Sequence, residues 1–255
     1  MQHTIRSREI KRVHRTSSSL PAVMLSLLLL ATSLVASAQN VDYCSMCSDH
    51  TMCLYPNDGP GDTCTTVLER NVNGQEQTEI LAAHNAIRRR VKNGDFANNN
   101  LPAAEVMPDL SWNDQLAVVA QRWADQCNFN HDACRKIEVE GKTEGETAGQ
   151  NLAAAWRSPG SSKNWTEDAI NPWFYDELDA FTQNDLTFRK ASSYPAGHLT
   201  QVIWADSTEV GCGFIAFEDT QNIPDYGPYT FTRRHYVCNY FPAGNIINQQ
   251  IYQPA

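Results

Sequence analysis

The sequence predicts an α+β fold in which helices pack on an antiparallel sheet. Apolar residues recur at three- and four-residue spacing over 78–93 and again after Ser111, which is typical of amphipathic helices. Later in the chain, 209–218 and 229–241 are rich in β-branched and aromatic residues, which favours strands. Helices followed by antiparallel strands predict a layered arrangement around one core.

Three helices are predicted. The first covers 78–93 and ends at Gly94, and the second begins with Ser111 as its N-cap, with Asp114 three residues on. A shorter helix is predicted over 173–182, after Asn171-Pro172. The apolar stripes expected to face the core are Ile80, Leu81, His84, Ile87 and Val91 in the first helix, and Leu116, Val119, Ala120, Trp123 and Cys127 in the second.

The two predicted strands are joined by the turn-rich segment 219–228. Cys212 and Cys238 lie near the strand centres, so a disulfide between them would join neighbours in one sheet. Closing that loop stabilises the fold by roughly 3–4 kcal/mol in the chain-entropy model.

Residues 1–38 are predicted to be a cleaved signal peptide. Five basic residues precede an apolar run over 20–35, and Ala36-Ser37-Ala38 supplies the small residues of a cleavage site. A signal anchor is the alternative, because a membrane span needs about 20 apolar residues. Cleavage would leave 217 residues, enough for one domain, with no membrane span and a secreted, extracellular localisation.

The predicted mature chain is strongly acidic. It keeps 15 basic and 28 acidic residues, a net charge of −13. Such a charge disfavours nucleic acid and anionic membrane surfaces as partners.

All eight cysteines follow the predicted cleavage site, and four of them fall in the arm 39–75, which is rich in Asp, Asn, Gly and Pro. An even count behind a secretion signal favours four disulfides. The alternative is zinc at Cys44-Ser-Met-Cys47, although no second pair follows at zinc-finger distance. Spacing alone does not choose among the pairings of eight cysteines.

Five segments resemble the CAP superfamily, which groups cysteine-rich secretory, antigen 5 and pathogenesis-related proteins. They are "HNAIRRRV" at 84–91, "WNDQLAVVAQRWADQC" at 112–127, "GQNLA" at 149–153, "GHLTQVIW" at 197–204 and "HYVCNYFPAGNI" at 235–246. The resemblance spans residues 40–252. The cysteine-rich arm is similar to that of the insect antigen 5 branch, close to salivary members from blood-feeding flies such as horseflies.

The resemblance implies a three-layer α-β-α sandwich over 76–255, preceded by the cysteine-rich arm, in a monomeric protein of saliva or venom glands. It implies the disulfides Cys44–Cys53, Cys47–Cys134, Cys64–Cys127 and Cys212–Cys238.

The resemblance also implies a cleft with a tetrad of two histidines and two acids. Carried over by position, the histidines are His84 and His198, and the acids are replaced by Gln115 and Gln150. A carboxamide does not titrate near neutral pH and binds zinc more weakly than a carboxylate. We therefore expect no enzyme, no catalytic residue, no metal and no cofactor. Zinc at His84 and His198, or a metal-dependent hydrolase built on the remnant tetrad, is the alternative.

A protein of this kind is expected to act by binding. Its tryptophan-rich composition allows an apolar channel. The first hypothesis is therefore that the protein binds a small lipid or inflammatory mediator and so interferes with host haemostasis or immunity. Recognition by IgE would follow if the protein is an allergen.

Asn93-Gly94-Asp95 carries the second hypothesis, an integrin-directed inhibitor of platelet aggregation. Relatives from horsefly saliva can carry Arg-Gly-Asp in this region, and here Asn93 replaces the arginine. The alternative is a glycine that ends a helix and is followed by a polar loop. Separately, Asn164-Trp165-Thr166 is a glycosylation sequon.

Overall fold

The computed structural model describes residues 41–189 and 196–255, with the side chains of 183 and 184 left aside. The predicted signal peptide, 1–38, lies outside the described residues. None of the helices in the described part of the chain has the length and apolar character needed to cross a membrane.

The arm contains more regular structure than its composition predicts. It forms two single-turn helices, α1 (Tyr43–Met46) and α2 (Thr51–Leu54), and one strand, β1 (Val67–Arg70). The strand joins the edge of the main sheet by pairing antiparallel with a later strand. The disulfides that leave the arm reach Cys127 and Cys134, so the arm is tied to the domain that follows it.

The first long helix, α3 (Gly74–Lys92), begins one turn before the predicted 78. The Asn73 side chain caps it by accepting from the backbone amides of Gln75 and Glu76. The Glu76 carboxylate in turn accepts from the Asn73 backbone amide, which completes a capping box. Its end agrees with the prediction, since Gly94 adopts φ +80°, a left-handed conformation that glycine takes without strain.

The second long helix, α4 (Asp114–Ala124), is capped by Asn113 and not by the predicted Ser111. Asn113 Oδ1 accepts from the Leu116 amide at 3.0 Å. Ser111 and Trp112 instead form a short strand, β2, which pairs parallel with the main sheet. Strand pairing with the main sheet therefore prevails over the helix-capping tendency of Ser111, and both residues belong to the sheet.

The third helical region lies earlier than the predicted 173–182. Two wide helical segments of π type cover Thr166–Ile170 and Pro172–Asp176. A short 3-10 turn at Gln183–Leu186 follows these segments, and α5 covers Gly197–Val202. Another 3-10 turn, Ala97–Asn99, lies earlier in the chain, after α3.

The main sheet is built on a long hairpin. Strands β6 (Glu209–Ile223) and β7 (Gly227–Phe241) pair antiparallel, with Cys212 directly opposite Cys238. The segment predicted as a connection is mostly paired strand, and only residues 224–226 form the turn. The strand β5 (Gly149–Arg157) pairs antiparallel with β7, giving the order β1-β6-β7-β5. A separate hairpin is formed by β3 (Lys136–Val139) and β4 (Lys142–Thr147).

The sheet lies between two helical layers. Phe214 and Tyr236 face a core shared with α3, α5 and the π segments. Ile215 and Val237, which point to the opposite face, pack against Trp123 of α4. Alternation along the strands thus produces the three-layer α-β-α sandwich that the resemblance implies.

Two glycines of β6 allow α4 to lie directly on the sheet. A Cβ at Gly213 would come within 2.3 Å of the Gln121 backbone, and one at Gly211 within 2.3 Å of the Ala117 amide. Neither neighbour is the flexible end of a side chain, so the helix itself would have to move.

His84 lies in the core between α3 and β7. It is fully buried, and its two ring nitrogens bond to the Ile80 carbonyl at 2.8 Å and the Tyr240 hydroxyl at 2.9 Å. Burial lowers its pKa to about 4, so the ring is neutral at physiological pH.

The substitution Gly213→Ala is expected to lower the free energy of unfolding by about 1–3 kcal/mol, because the added methyl forces α4 away from β6. Gly74→Ala is the control, since a Cβ there meets nothing within 4 Å. Denaturant unfolding with the disulfides intact measures both. Equal stability of the two variants would contradict the close packing of α4 on Gly213.

Stability is expected to fall as the pH drops from about 6.5 towards 4. The native pKa of His84 is about 4, below the ordinary value of about 6.5, so only the unfolded state gains a proton in this window. The full shift corresponds to about 3 kcal/mol. His84→Gln should be less stable at pH 7 but should lose less stability between pH 6.5 and 4. An unchanged pH dependence in this variant would contradict the assignment.

Candidate functional site

His198 pairs with an acid that the sequence analysis did not select. His198, in the first turn of α5, donates through Nδ1 to Glu177 Oε1 at 2.6 Å. The other carboxylate oxygen, Oε2, accepts from the Leu199 amide at 2.8 Å. Glu177 follows the second π segment directly, so the contact joins that segment to α5.

A second pair forms between His131 and Gln150, at the start of β5. The Gln150 amide nitrogen donates to Asp132 at 3.1 Å and to Asn239 at 3.0 Å, which leaves its oxygen as the acceptor. His131 Nδ1 therefore donates to Gln150 Oε1, at 2.7 Å. The carboxamide is orientated by two acceptors and cannot act as a base.

The two pairs lie in one neighbourhood. Asn151, the residue after Gln150, donates from Nδ2 to the His198 carbonyl at 3.1 Å. Burial lowers the pKa of His131 below its ordinary value; the bond to Gln150 raises this pKa, and the positive charge of Arg135 lowers it. The structure thus brings together His131, Gln150, Glu177 and His198.

His84 does not belong to this cleft. Both of its ring nitrogens are occupied by core partners and its side chain has no exposed surface. The assignment of His84 to the tetrad is therefore wrong, and the histidine that lies in the cleft with His198 is His131. In the sequence both histidines look equally suitable, and only the tertiary packing separates them.

Gln115 also lies away from the cleft. Its side chain lies beside the Tyr43 hydroxyl in the arm, and its amide nitrogen is buried without a partner. The acid beside His198 is therefore present as Glu177, and the expectation that both acids are missing is corrected. One signal was available: Glu177 falls within the predicted helix 173–182. The sequence offers nothing comparable that places His131 beside Gln150.

The donors of the cleft do not suit a tetrahedral zinc site. Within 41–189 and 196–255, one set of three His, Cys, Asp or Glu side chains has ligand atoms within 4.8 Å of one another, namely Cys47, Asp49 and Cys134. Both sulfurs of that set belong to a disulfide. His131, Glu177 and His198 do not converge in this way, and both Glu177 oxygens already accept hydrogen bonds.

An open groove of about 600 Å³ extends from the His198–Glu177 pair along β5. One wall consists of the six successive residues 152–157, and the other of the π segments, including Trp173. Its lining holds four acidic residues against one arginine, and that arginine, Arg157, bonds to Asp168. The remaining three acids are Glu167, Asp176 and Glu177, so the groove is negatively charged.

The segment Asn93-Gly94-Asp95 forms the end of α3. The side chains of Asn93 and Asp95 are exposed, and the Asp95 amide donates to the Arg90 carbonyl at 3.0 Å. The Asp95 carboxylate accepts from Arg90 Nε at 3.2 Å. Arg90 also stacks on Phe96, so the carboxylate is held by a cation that is itself fixed in place.

The sequon asparagine, Asn164, is half-buried ahead of the first π segment. Its Oδ1 accepts from the Glu167 amide at 2.9 Å, and the Thr166 hydroxyl donates to Glu79 at 3.1 Å. The sequon thus begins a helical segment and is not part of a free loop. Glycosylation there stays a prediction.

The structure forms four disulfides, with the pairing that the resemblance implies. They are Cys44–Cys53, Cys47–Cys134, Cys64–Cys127 and Cys212–Cys238. The second of these ends at Cys134, three residues after His131. Through this disulfide the arm restrains the loop that supplies one histidine of the cleft.

Comparison with curated proteins gives relatives of nearly the same length. Venom allergen 3 of Solenopsis invicta is 36% identical over 88% of this chain and 92% of its own length. Venom allergen 5 of Rhynchium brunneum is 34% identical over 90% and 97%, and venom allergen 5 of Dolichovespula arenaria is 35% identical over 83% and 98%.

The fold also matches solved structures. The crystal structure of NaASP2 with Zn2+ aligns with a TM-score of 0.54 and 22% identity, covering 78% of this chain and 91% of that one. BmVAL-1 aligns with a TM-score of 0.53 and 24% identity, covering 78% and 88%. At this identity the likeness shows the fold alone.

The family description "CAP: Cysteine-rich secretory protein family" matches residues 81–240, a range that includes the four cleft residues His131, Gln150, Glu177 and His198. With relatives above 30% identity over most of the chain, the branch is that of the insect venom allergens. The chain belongs to the CAP family, in its antigen 5 branch.

Proposed function

We propose that this protein is a secreted venom or salivary protein that acts by binding and not by catalysis, with its ligand in the groove beside His198. The observation that carries the proposal is Gln150. It bonds to His131 at 2.7 Å, where general acid-base chemistry would need a carboxylate that titrates. Its two donor bonds, to Asp132 and Asn239, fix it as a hydrogen-bonded structural group.

The charge of the groove selects the class of ligand. Glu167 and Asp176 are exposed on its wall, and Glu177 lies at its end. These carboxylates repel the headgroup of a fatty acid and attract a positively charged mediator. Among the ligands predicted from the sequence, an inflammatory mediator that carries positive charge is therefore favoured over an anionic lipid. Sequestering it would interfere with host inflammation or haemostasis.

The hydrogen bond of the Asp95 carboxylate disfavours the integrin hypothesis. An integrin ligand needs a free carboxylate and a basic residue on a protruding loop. Here the Asp95 carboxylate already bonds to Arg90, and Asn93 cannot supply the positive charge. We therefore give integrin-directed inhibition no part in the proposed function.

Absence of catalysis is tested first. We expect no cleavage of casein or of p-nitrophenyl esters above the background of a His198→Ala variant, with or without added zinc, because Gln150 leaves the site without a second titrating acid. Mass spectrometry of the products provides the measurement. Turnover by the natural protein that disappears in His198→Ala would overturn the proposal and restore the hydrolase.

Charge selectivity is tested with two probes of equal shape, oleylamine and oleate. We expect calorimetry below the micelle concentration to show at least about tenfold tighter binding of the amine, a difference of about 1.4 kcal/mol. Asp176→Asn should weaken amine binding by up to about fivefold, as expected for an exposed carboxylate.

The matched control is Asp179→Asn, three residues further on, exposed and outside the groove. It should bind both probes like the natural protein. Tighter binding of oleate would contradict the assignment of a positively charged ligand and would favour the lipid hypothesis.

A further inference from the structure

The groove beside His198 runs along an edge strand of the sheet that the described residues form. β5 ends the strand order β1-β6-β7-β5, and its six residues 152–157 all line the groove. Successive side chains of a strand point to opposite faces. A cavity that touches all of them therefore lies against the edge of the strand and its backbone.

The register identifies the backbone groups that face this edge. Cys212 and Cys238 are directly opposite with Cα atoms 4.1 Å apart, the spacing of a pair without mutual hydrogen bonds. Cys238 therefore directs its amide and carbonyl away from β6, towards its partner Asn151 in β5. Asn151 therefore directs its amide and carbonyl towards β7. Because these directions alternate along a strand, the amides and carbonyls of Leu152, Ala154 and Trp156 point away from β7.

An independent contact confirms this direction. The Trp173 indole Nε1, on the opposite wall of the groove, donates to the Leu152 carbonyl at 2.9 Å. No described residue bonds to the backbone of Ala154 or Trp156 on the same edge. Two amides and two carbonyls thus remain in the pattern that a further strand would complete.

We propose that β5 binds an extended, positively charged peptide segment as an additional strand of the sheet. Six residues in strand conformation span roughly 20 Å, so a segment of six to eight residues matches the edge. Main-chain bonds to Ala154 and Trp156 would supply affinity independent of sequence, as in other cases of strand addition. The acids Glu167, Asp176 and Glu177 on the facing wall supply selectivity for Lys and Arg.

This inference rests on the proposed function, since it names the class of ligand for the same groove. It accounts for a feature that a small amine leaves unexplained, namely the outward-facing backbone groups of Ala154 and Trp156, to which no described residue bonds. The positively charged mediator would be a peptide or an extended segment of a host protein.

The probe is a fluorescein-labelled peptide of eight residues, alternating Lys and Thr, with both ends blocked. We expect saturable binding by fluorescence anisotropy, at least tenfold weaker binding of the alternating Glu and Thr peptide, and slowed amide exchange at Ala154 and Trp156. Failure of the Lys peptide to bind at millimolar concentration would overturn the inference.

N-methylation of the peptide distinguishes strand addition from attraction by charge alone. An added strand uses every second amide, so methylating one alternate set should abolish binding while methylating the other set leaves it within about twofold. Equal effects of the two sets would overturn the inference. This comparison needs no change in the protein.

The protein variant Ala154→Pro removes one edge amide and places a ring where the peptide would lie. Proline is tolerated on the open side of an edge strand, so the variant should fold. It should bind the Lys peptide at least tenfold more weakly, whereas Ala154→Ser, which keeps the amide, should bind it normally. A folded Ala154→Pro variant with unchanged affinity would overturn the inference.

Mass spectrometry of the bound peptide separates the two proposals. An intact peptide that binds along the edge supports both. A peptide that binds and is cleaved contradicts the non-enzymatic function but leaves the edge as the binding site. An intact peptide that does not bind contradicts the edge alone.

Discussion

The position of the cleft depends on one buried cation, Arg88. Its guanidinium is fully buried in α3 and donates to five backbone carbonyls, those of Pro108, Val202, Trp204, Ala205 and Ser207. Burial lowers its pKa to about 10, so it stays charged at neutral pH. One of these carbonyls belongs to the last residue of α5, Val202, and three follow within five residues, so α3 holds the end of the helix that carries His198. Leaving several buried carbonyls without a donor costs about 1–3 kcal/mol each.

From this anchor the geometry of the cleft follows step by step. With the end of α5 fixed, the Leu199 amide and the His198 ring meet the two oxygens of Glu177. The opposite side is fixed by the sheet, because Gln150 lies in β5 beside Asn239 of β7. His131 is held by neither helix nor strand, and the nearby disulfide of Cys134 restrains its loop instead.

The sequence predicts what depends on local pattern and fails where partners are distant. Periodicity placed α3 and α4 to within a turn, because a buried stripe repeats along one element. The site required contacts between residues 131 and 150 and between 177 and 198, and no local signal reports such contacts. His84 was misassigned for that reason: a core histidine and a cleft histidine differ only in their neighbours. Ser111 was misassigned because strand pairing with β6 overrode its tendency to cap.

The carboxamide at Gln150 has a consequence for binding as well as for catalysis. A glutamate there would face Asp132, whose carboxylate already accepts from Gln150 at 3.1 Å, so two like charges would lie within hydrogen-bond distance. A carboxamide can donate to Asp132 and accept from His131 at once, which a carboxylate cannot. The neutral side chain therefore completes a hydrogen-bond network with His131, Asp132 and Asn239 at the start of β5, a strand that is paired with β7 along its whole length. Hydrogen-bond partners that are already in place need no ordering when a ligand binds, so a preformed network of this kind is the arrangement that the proposed binding function requires.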